Sequence, residues 1–190
     1  MVRPRRLIWI ALLLVSVASV SARGPADSFR WDVKTATDPR AQQIHRHVDA
    51  SVTELCALQR PDRVSGYTPR LAPIEQTIYR VKALFLFYRL EEDGDVHVVL
   101  QDPNDESQTL VAEIPSPSDM FGSSPFTREI TRLREDFDRD WTPNSSRRNG
   151  GQILVLATGI GFFDKRHGAI GEAPNGIELH PLLDLQVIRE

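Results

Sequence analysis

The chain has 190 residues, 41% of them apolar and 26% charged, with 23 Lys and Arg against 26 Asp and Glu. Setting aside the leader expected below leaves 20 basic against 26 acidic residues, a net charge of −6 over 168 residues. That is enough for one domain with its own core, and the acidic balance disfavours nucleic acid, whose phosphates are met by clustered Lys and Arg. The one cysteine, Cys56, excludes an internal disulfide.

Arg3, Arg5 and Arg6 precede an apolar run over residues 7–20, and Val20-Ser21-Ala22 puts small residues at a cleavage point. Residues 1–22 are therefore expected to be a signal peptide, with export to the periplasm or the medium. The run is shorter than the ~20 residues a spanning helix needs, so no membrane span is expected after cleavage. The rest is expected to divide into a lead-in with short helices, 23–75, and a β domain, 76–190. Asp38-Pro39 followed by Ala41, Ile44 and Val48 predicts one short helix. Ser51 and Glu54 fit a capping box for a second, with Val52, Leu55 and Leu58 facing inward. Cys56 falls in that helical pattern and is expected to be a buried structural thiol.

From Thr77 the period changes to two. Tyr79, Val81, Ala83, Phe85 and Phe87 share one face of a long strand, whose other face turns apolar late, as in a bent barrel strand. EEDGD at 91–95 predicts a turn, followed by a strand with Val96, Val98 and Leu100 inward. Asp102-Pro103-Asn104-Asp105 turns the chain again, and Leu110, Ala112 and Ile114 mark a third strand. Ser124-Pro125 predicts the start of one long helix, with Phe126, Ile130, Leu133, Phe137 and Trp141 as its apolar stripe. Residues 144–151 are expected to be a loop, followed by strands over 153–163 and 177–187, with Asn175-Gly176 as a turn signal between them. The expected class is mainly β with one main helix. Three strands, a helix and two strands is the element order of the five-stranded OB-like Greek-key barrel, with its helix between strands 3 and 4.

OB domains take ligands on the strand 2–3 face and on the loop joining strands 4 and 5. Here that face should present His97, Val99, Gln101, Thr109, Val111 and Glu113, with Asp164, His167 and Asn175 in the long connection. His97, Gln101, Asp164, His167 and Asn175 are thus the ligand-binding candidates. The face lacks the aromatic platforms of single-strand binders. Asp93, Asp95 and His97 alternate, as metal ligands on a strand would, but acidic residues flanking Gly94 are ordinary turn formers. Glu178 and His180 share a strand face within reach of Asp164 and His167. Two His and two carboxylates suit zinc or an acid–base pair, yet no known ligand spacing supports them. The competing expectation is a hairpin locked by bonds to backbone N–H groups, with Glu178 as acceptor and Gly168, Gly171 and Gly176 in unusual conformations.

The run HGAIGEAPNGIELHPLLDL, preceded by FFD, resembles the closing motif of an uncharacterised family of exported bacterial proteins. The stretches VHVVLQDP, AEIPSP and SPF extend that resemblance over most of the chain beyond the leader. It implies one exported domain and carries no activity, cofactor or catalytic residue. The family's sequences have a cysteine shortly after the AEIPSP-like segment, where Ser118, Asp119 and Met120 stand here. EEDGD before an alternating strand also resembles thermonuclease-type OB enzymes, but the arginines they require have no match. The expected function is a non-catalytic OB-like binding or interaction domain, without cofactor, for a protein or a small polar ligand. The alternative is a metal-assisted hydrolase, phosphodiesterase- or nuclease-like, using the hairpin His and acidic residues with a divalent metal such as zinc.

Overall fold

A computed structural model describes residues 29–116 and 124–189; the expected signal peptide and residues 118–120 lie outside them. In chain order its elements are α1 (Trp31–Lys34), a 3-10 turn (Ala41–Gln43), β1 (Arg46–Ala50), α2 (Val52–Cys56), a second 3-10 turn (Ile74–Gln76), β2 (Thr77–Leu90), β3 (Val96–Asp102), β4 (Asp105–Ile114), α3 (Thr127–Trp141), β5 (Arg148–Phe163) and β6 (Ile177–Val187). The fold is mainly β with one main helix, as the periodicity predicts. Six strands form one mixed sheet in the order β1-β2-β3-β4-β6-β5. β2 also pairs antiparallel with β5, so β2, β3, β4, β6 and β5 return on themselves with β1 outside. β4 meets β6 in parallel over two residue pairs, Val111 with Glu178 and Ala112 with Leu179, and the ring is not a regular barrel.

The helix expected from Ala41, Ile44 and Val48 is replaced by a 3-10 turn and a sixth strand. Ala41 and Ile44 pack with Ile78, Ile130, Ile160 and Leu183, whereas Val48 packs against the main core, so the three residues serve different clusters and make no single stripe. β1 instead runs parallel to β2, from Arg46 beside Thr77 to Ala50 beside Val81. Asp38 closes a local turn onto Arg40 N at 3.0 Å and binds the buried Arg70 guanidinium. The second helix forms as predicted. Ser51 Oγ accepts from Glu54 N and the Glu54 carboxylate accepts from Ser51 N, a complete capping box. Cys56 departs from expectation in being only half-buried; its Sγ lies 3.4 Å from Thr109 O, and burial together with Asp102 and Asp105 pushes the thiol up to about 11.

Tyr79, Val81, Ala83 and Phe85 point into the main core as predicted, but the phase then changes. A register shift between Phe85 and Phe87 turns Phe87 out, under the Arg147 guanidinium, and brings Tyr88 in. The 144–151 loop is shorter than expected because β5 already starts at Arg148. α3 begins at Thr127, later than Ser124-Pro125 suggests, although Ser124 Oγ still accepts from Phe126 N at 3.3 Å. Its stripe divides between two cores. Leu133 and Phe137 pack inside the ring with Phe85 and Tyr88, while Ile130 joins Ile78, Ile160 and Leu183 in the second cluster. The lead-in shares these cores, since Val52 and Leu55 belong to the main cluster.

A sealed polar cluster on β3, β4 and β6

Alternation along β3 and β4 sends Val96, Val98, Leu100, Leu110, Ala112 and Ile114 into the main core and His97, Val99, Val111 and Glu113 to the opposite face. His97 registers with Glu113, and the parallel pair Val111–Glu178 sets Glu178 and His180 beside them. Four polar side chains from three strands therefore share one face. It is not exposed. The 164–176 connection folds over it: Ile170 O lies 3.2 Å from His97 Nε2, and Gly171, at φ +88°, sits where a Cβ would come within 2.5 Å of both Val99 methyls. From the other side α1 contributes Lys34, whose Nζ is 3.5 Å from Asp164 Oδ2 and 5.7 Å from the centre of the Phe162 ring. Asp95, at the foot of β3, completes the set: its Oδ1 accepts from Ser116 N at 2.8 Å and its Oδ2 lies 3.7 Å from His180 Nε2.

The cluster is rich in ionisable groups and under-partnered. Asp95, Glu113, Asp164, Glu178 and both imidazoles are buried. Burial, with Glu113 and Asp93 nearby, pushes Asp95 up to about 8. Burial also raises Glu113 despite its bond from His97, and raises Glu178 well, helped by Asp164 and Glu113. Burial would lower Lys34, but Asp164, Glu178, Glu113 and Asp95 outweigh it and hold the ammonium charged. Burial keeps His180 neutral, with Lys34 and Arg70 adding to the effect. His180 is fully enclosed, its Nδ1 3.9 Å from Glu178 Oε2, and both its nitrogens, Glu178 Oε2 and Asp164 Oδ1 lack hydrogen-bond partners.

His97 is better provided for. Ile170 O can only accept, so Nε2 carries hydrogen, and Nδ1 faces Glu113 Oε1 at 3.0 Å and Glu91 Oε1 at 3.6 Å. Burial would lower this imidazole, but Glu113 and Glu91 raise it. Of Asp93, Asp95 and His97, only Asp93 serves the turn, accepting from Asp95 N; the other two belong to the cluster.

The quartet Asp164, His167, Glu178 and His180 does not converge. His167 is half-exposed on the lip of the connection, 3.8 Å from Asp164 Oδ2, while Glu178 and His180 lie beneath. Among the described residues, the group of three His and acidic side chains whose ligand atoms all lie within 4.8 Å of one another is Glu91, His97 and Glu113. Gln101 lies apart, bonded to Glu106 O at 2.9 Å. Asn175 is consumed by structure: Nδ2 donates to Leu55 O and Leu58 O, and Oδ1 accepts from Ile177 N. The expected acceptor role of Glu178 belongs instead to Glu172, whose Oε2 takes the N–H groups of His167, Gly168 and Ala169 at 3.2, 2.6 and 3.0 Å. Arg60, also missed, holds Asn175 O and Asp164 O at 3.0 and 2.7 Å. Lys34 lies far away in sequence and carries no local pattern; a Glu between Gly171 and Pro174, in a stretch needing N–H acceptors, was the available signal for Glu172. An open groove of about 520 Å³ lies elsewhere, beside Trp31, Asp32, Arg40, Pro69 and the 99% exposed Tyr67.

No protein-family model and no curated protein matches the chain. Among solved structures it is similar to a Leishmania major Friedlin protein assigned as an aspartyl-tRNA synthetase, at 14% identity and a TM-score of 0.37. The match covers 75% of this chain and 21% of that one. Among the described residues no helix is long and apolar enough to cross a membrane.

Proposed function

We propose that this is an exported OB-like binding domain without catalysis of its own, related to the exported bacterial family that its closing motif resembles. Three strands, a helix and two strands, with β2 shared between β3 and β5 and with β4 parallel to β6, support the Greek-key assignment. One observation carries the functional reading: the acid–base residues are sealed. His180 is fully buried and Glu178 is 4% exposed, beneath a connection that the chain bonds to the face itself. General acid–base chemistry needs its proton carrier within hydrogen-bond reach of substrate, and hydrolysis needs water there. A protein or small polar ligand is then met on surfaces outside this face, and nucleic acid is disfavoured by charge.

The test is turnover of a chromogenic phosphodiester with added Zn²⁺, Mn²⁺ or Mg²⁺. No rate above buffer plus metal is expected; metal-dependent turnover that Glu178→Gln and His180→Ala both abolish would establish the hydrolase instead. Export has its own check. N-terminal sequencing of exported material is expected to begin at Arg23, and retention of residues 7–20 would count against cleavage.

A further inference from the structure

We propose a divalent-cation site formed by Glu91, His97 and Glu113, with a transition-metal ion such as zinc as its occupant. Their ligand atoms come from the β2–β3 turn, β3 and β4, and lie within 4.8 Å of one another. A tetrahedral ion with bonds of about 2.1 Å sets its ligand atoms about 3.4 Å apart. The separations from His97 Nδ1, 3.0 Å to Glu113 Oε1 and 3.6 Å to Glu91 Oε1, bracket that value. The imidazole is already oriented for coordination. Ile170 O fixes hydrogen on Nε2, so once Nδ1 gives up the hydrogen it shares with Glu113, its lone pair points between the two carboxylates, as partners of metal-bound histidines arrange.

A second observation comes from outside the triad. Glu178, on β6 beside Val111, is 4% exposed and its Oε2 has no hydrogen-bond partner. With Asp95 and Asp164, five carboxyl groups gather here, with Lys34 set among them and Arg89 bound to Glu91. One imidazole nitrogen and carboxylate oxygens are a donor set for zinc, manganese or cobalt rather than for calcium. Arg89 donates to Glu91 Oε1 at 2.8 Å, so metal binding displaces that guanidinium or uses the other carboxylate oxygen. The Glu91 side chain is 26% exposed, which gives an ion its way in. Three protein ligands leave one position for water.

Chelator-stripped, untagged protein is dialysed against Zn²⁺, desalted, and measured for metal content and melting temperature, with Mn²⁺ as a parallel arm. One retained zinc per chain and a metal-induced rise in Tm are expected. Glu91→Gln, at the part-exposed turn, should weaken binding on the order of tenfold or more, and His97→Ala should abolish it. Cobalt-loaded protein should lose its visible absorption in the same two variants. His167→Ala, half-exposed and outside the triad, should leave all three readouts unchanged. A trace of metal in wild type, undiminished affinity in Glu91→Gln, or loss in His167→Ala would overturn the site. Should His97→Ala not fold, Glu91→Gln decides. The outcome is independent of the non-catalytic reading: bound metal without turnover supports both, and turnover without metal at this triad removes both.

Discussion

Asp95 is the residue on which the cluster's charge is easiest to measure. Its carboxyl is raised to about 8 because burial, Glu113 and Asp93 outweigh the bond from Ser116 N and the more distant Lys34. Between about pH 4 and 8 the unfolded chain gives up this proton and the folded chain keeps it. Stability therefore falls as pH rises through that window, by at most about 1.4 kcal/mol per pH unit for one group. Glu113 and Glu178 act in the same direction. His180 acts oppositely below about pH 6.5, where the unfolded imidazole takes a proton and the enclosed one does not. Asp95→Asn should thus gain on wild type as pH rises from 5 to 8, read from urea melts; parallel pH profiles would show that Asp95 is ionised throughout. A second pair of variants separates Glu172 of the connection from Glu178 of β6. Glu172→Gln should lower stability by about 1–3 kcal/mol, because three backbone N–H groups lose a charged acceptor. Glu178→Gln should raise the melting temperature at pH 8, because it removes a buried titratable carboxyl, raised by burial, that accepts nothing at Oε2. The opposite order would restore Glu178 as the acceptor of the connection.

At the level of elements, α3 offers the cleanest test of packing. Leu133 is 5% exposed and lies in the main core with Phe137, itself among Phe85, Tyr88 and Trp141. Leu133→Ala should cost about 2–5 kcal/mol, and a loss below about 0.5 kcal/mol would mark a surface position. This helix was legible because its apolar spacing is local and long enough to outweigh uncertainty at its start. β3, β4 and β6 were legible for the same reason, since local alternation separates the side chains that enter the main core from those on the opposite face. β1 was not. Its five residues, RHVDA, alternate only over Val48-Asp49-Ala50, too short a run to signal a strand, and their pairing comes from the flank of β2. The phase change in β2 was hidden too: Phe85 and Phe87 continue the written alternation, and only the register shift against β3 and β5 turns Phe87 outward. The site was half legible. Glu178 and His180 could be set on one face from their spacing, but that the face lies under the connection depends on Gly171, Ile170 and Lys34, whose contacts are all long-range.

For the whole molecule, the question is what holds the lead-in and the end of β5 as one body, since both cover the polar face. Arg30 and Glu75 do so from positions 45 residues apart, with neither side chain exposed. Arg30 Nη1 donates to Glu75 Oε1 at 2.7 Å and to Phe163 O at 3.2 Å, while its Nε and Nη2 reach Thr68 O and Pro69 O. Glu75 in turn accepts from Phe163 N at 2.9 Å and Leu71 N at 2.6 Å. Phe163 adjoins Asp164, so this pair anchors the point from which the connection leaves the sheet. Removing one partner strands the other's charge in a dry environment, and such losses run to about 3–5 kcal/mol. Arg30→Met and Glu75→Gln should each fall in that range. The double variant should cost less than their sum by about 1–3 kcal/mol, because the second change removes the charge that the first left unpaired. Part of the penalty remains in the double variant, since Leu71 N and Phe163 N keep only a neutral acceptor. Urea melts of the four proteins close the cycle. Strict additivity would mean that the guanidinium is held by the backbone carbonyls alone, and that the lead-in and β5 are joined through the chain's packing rather than through this pair.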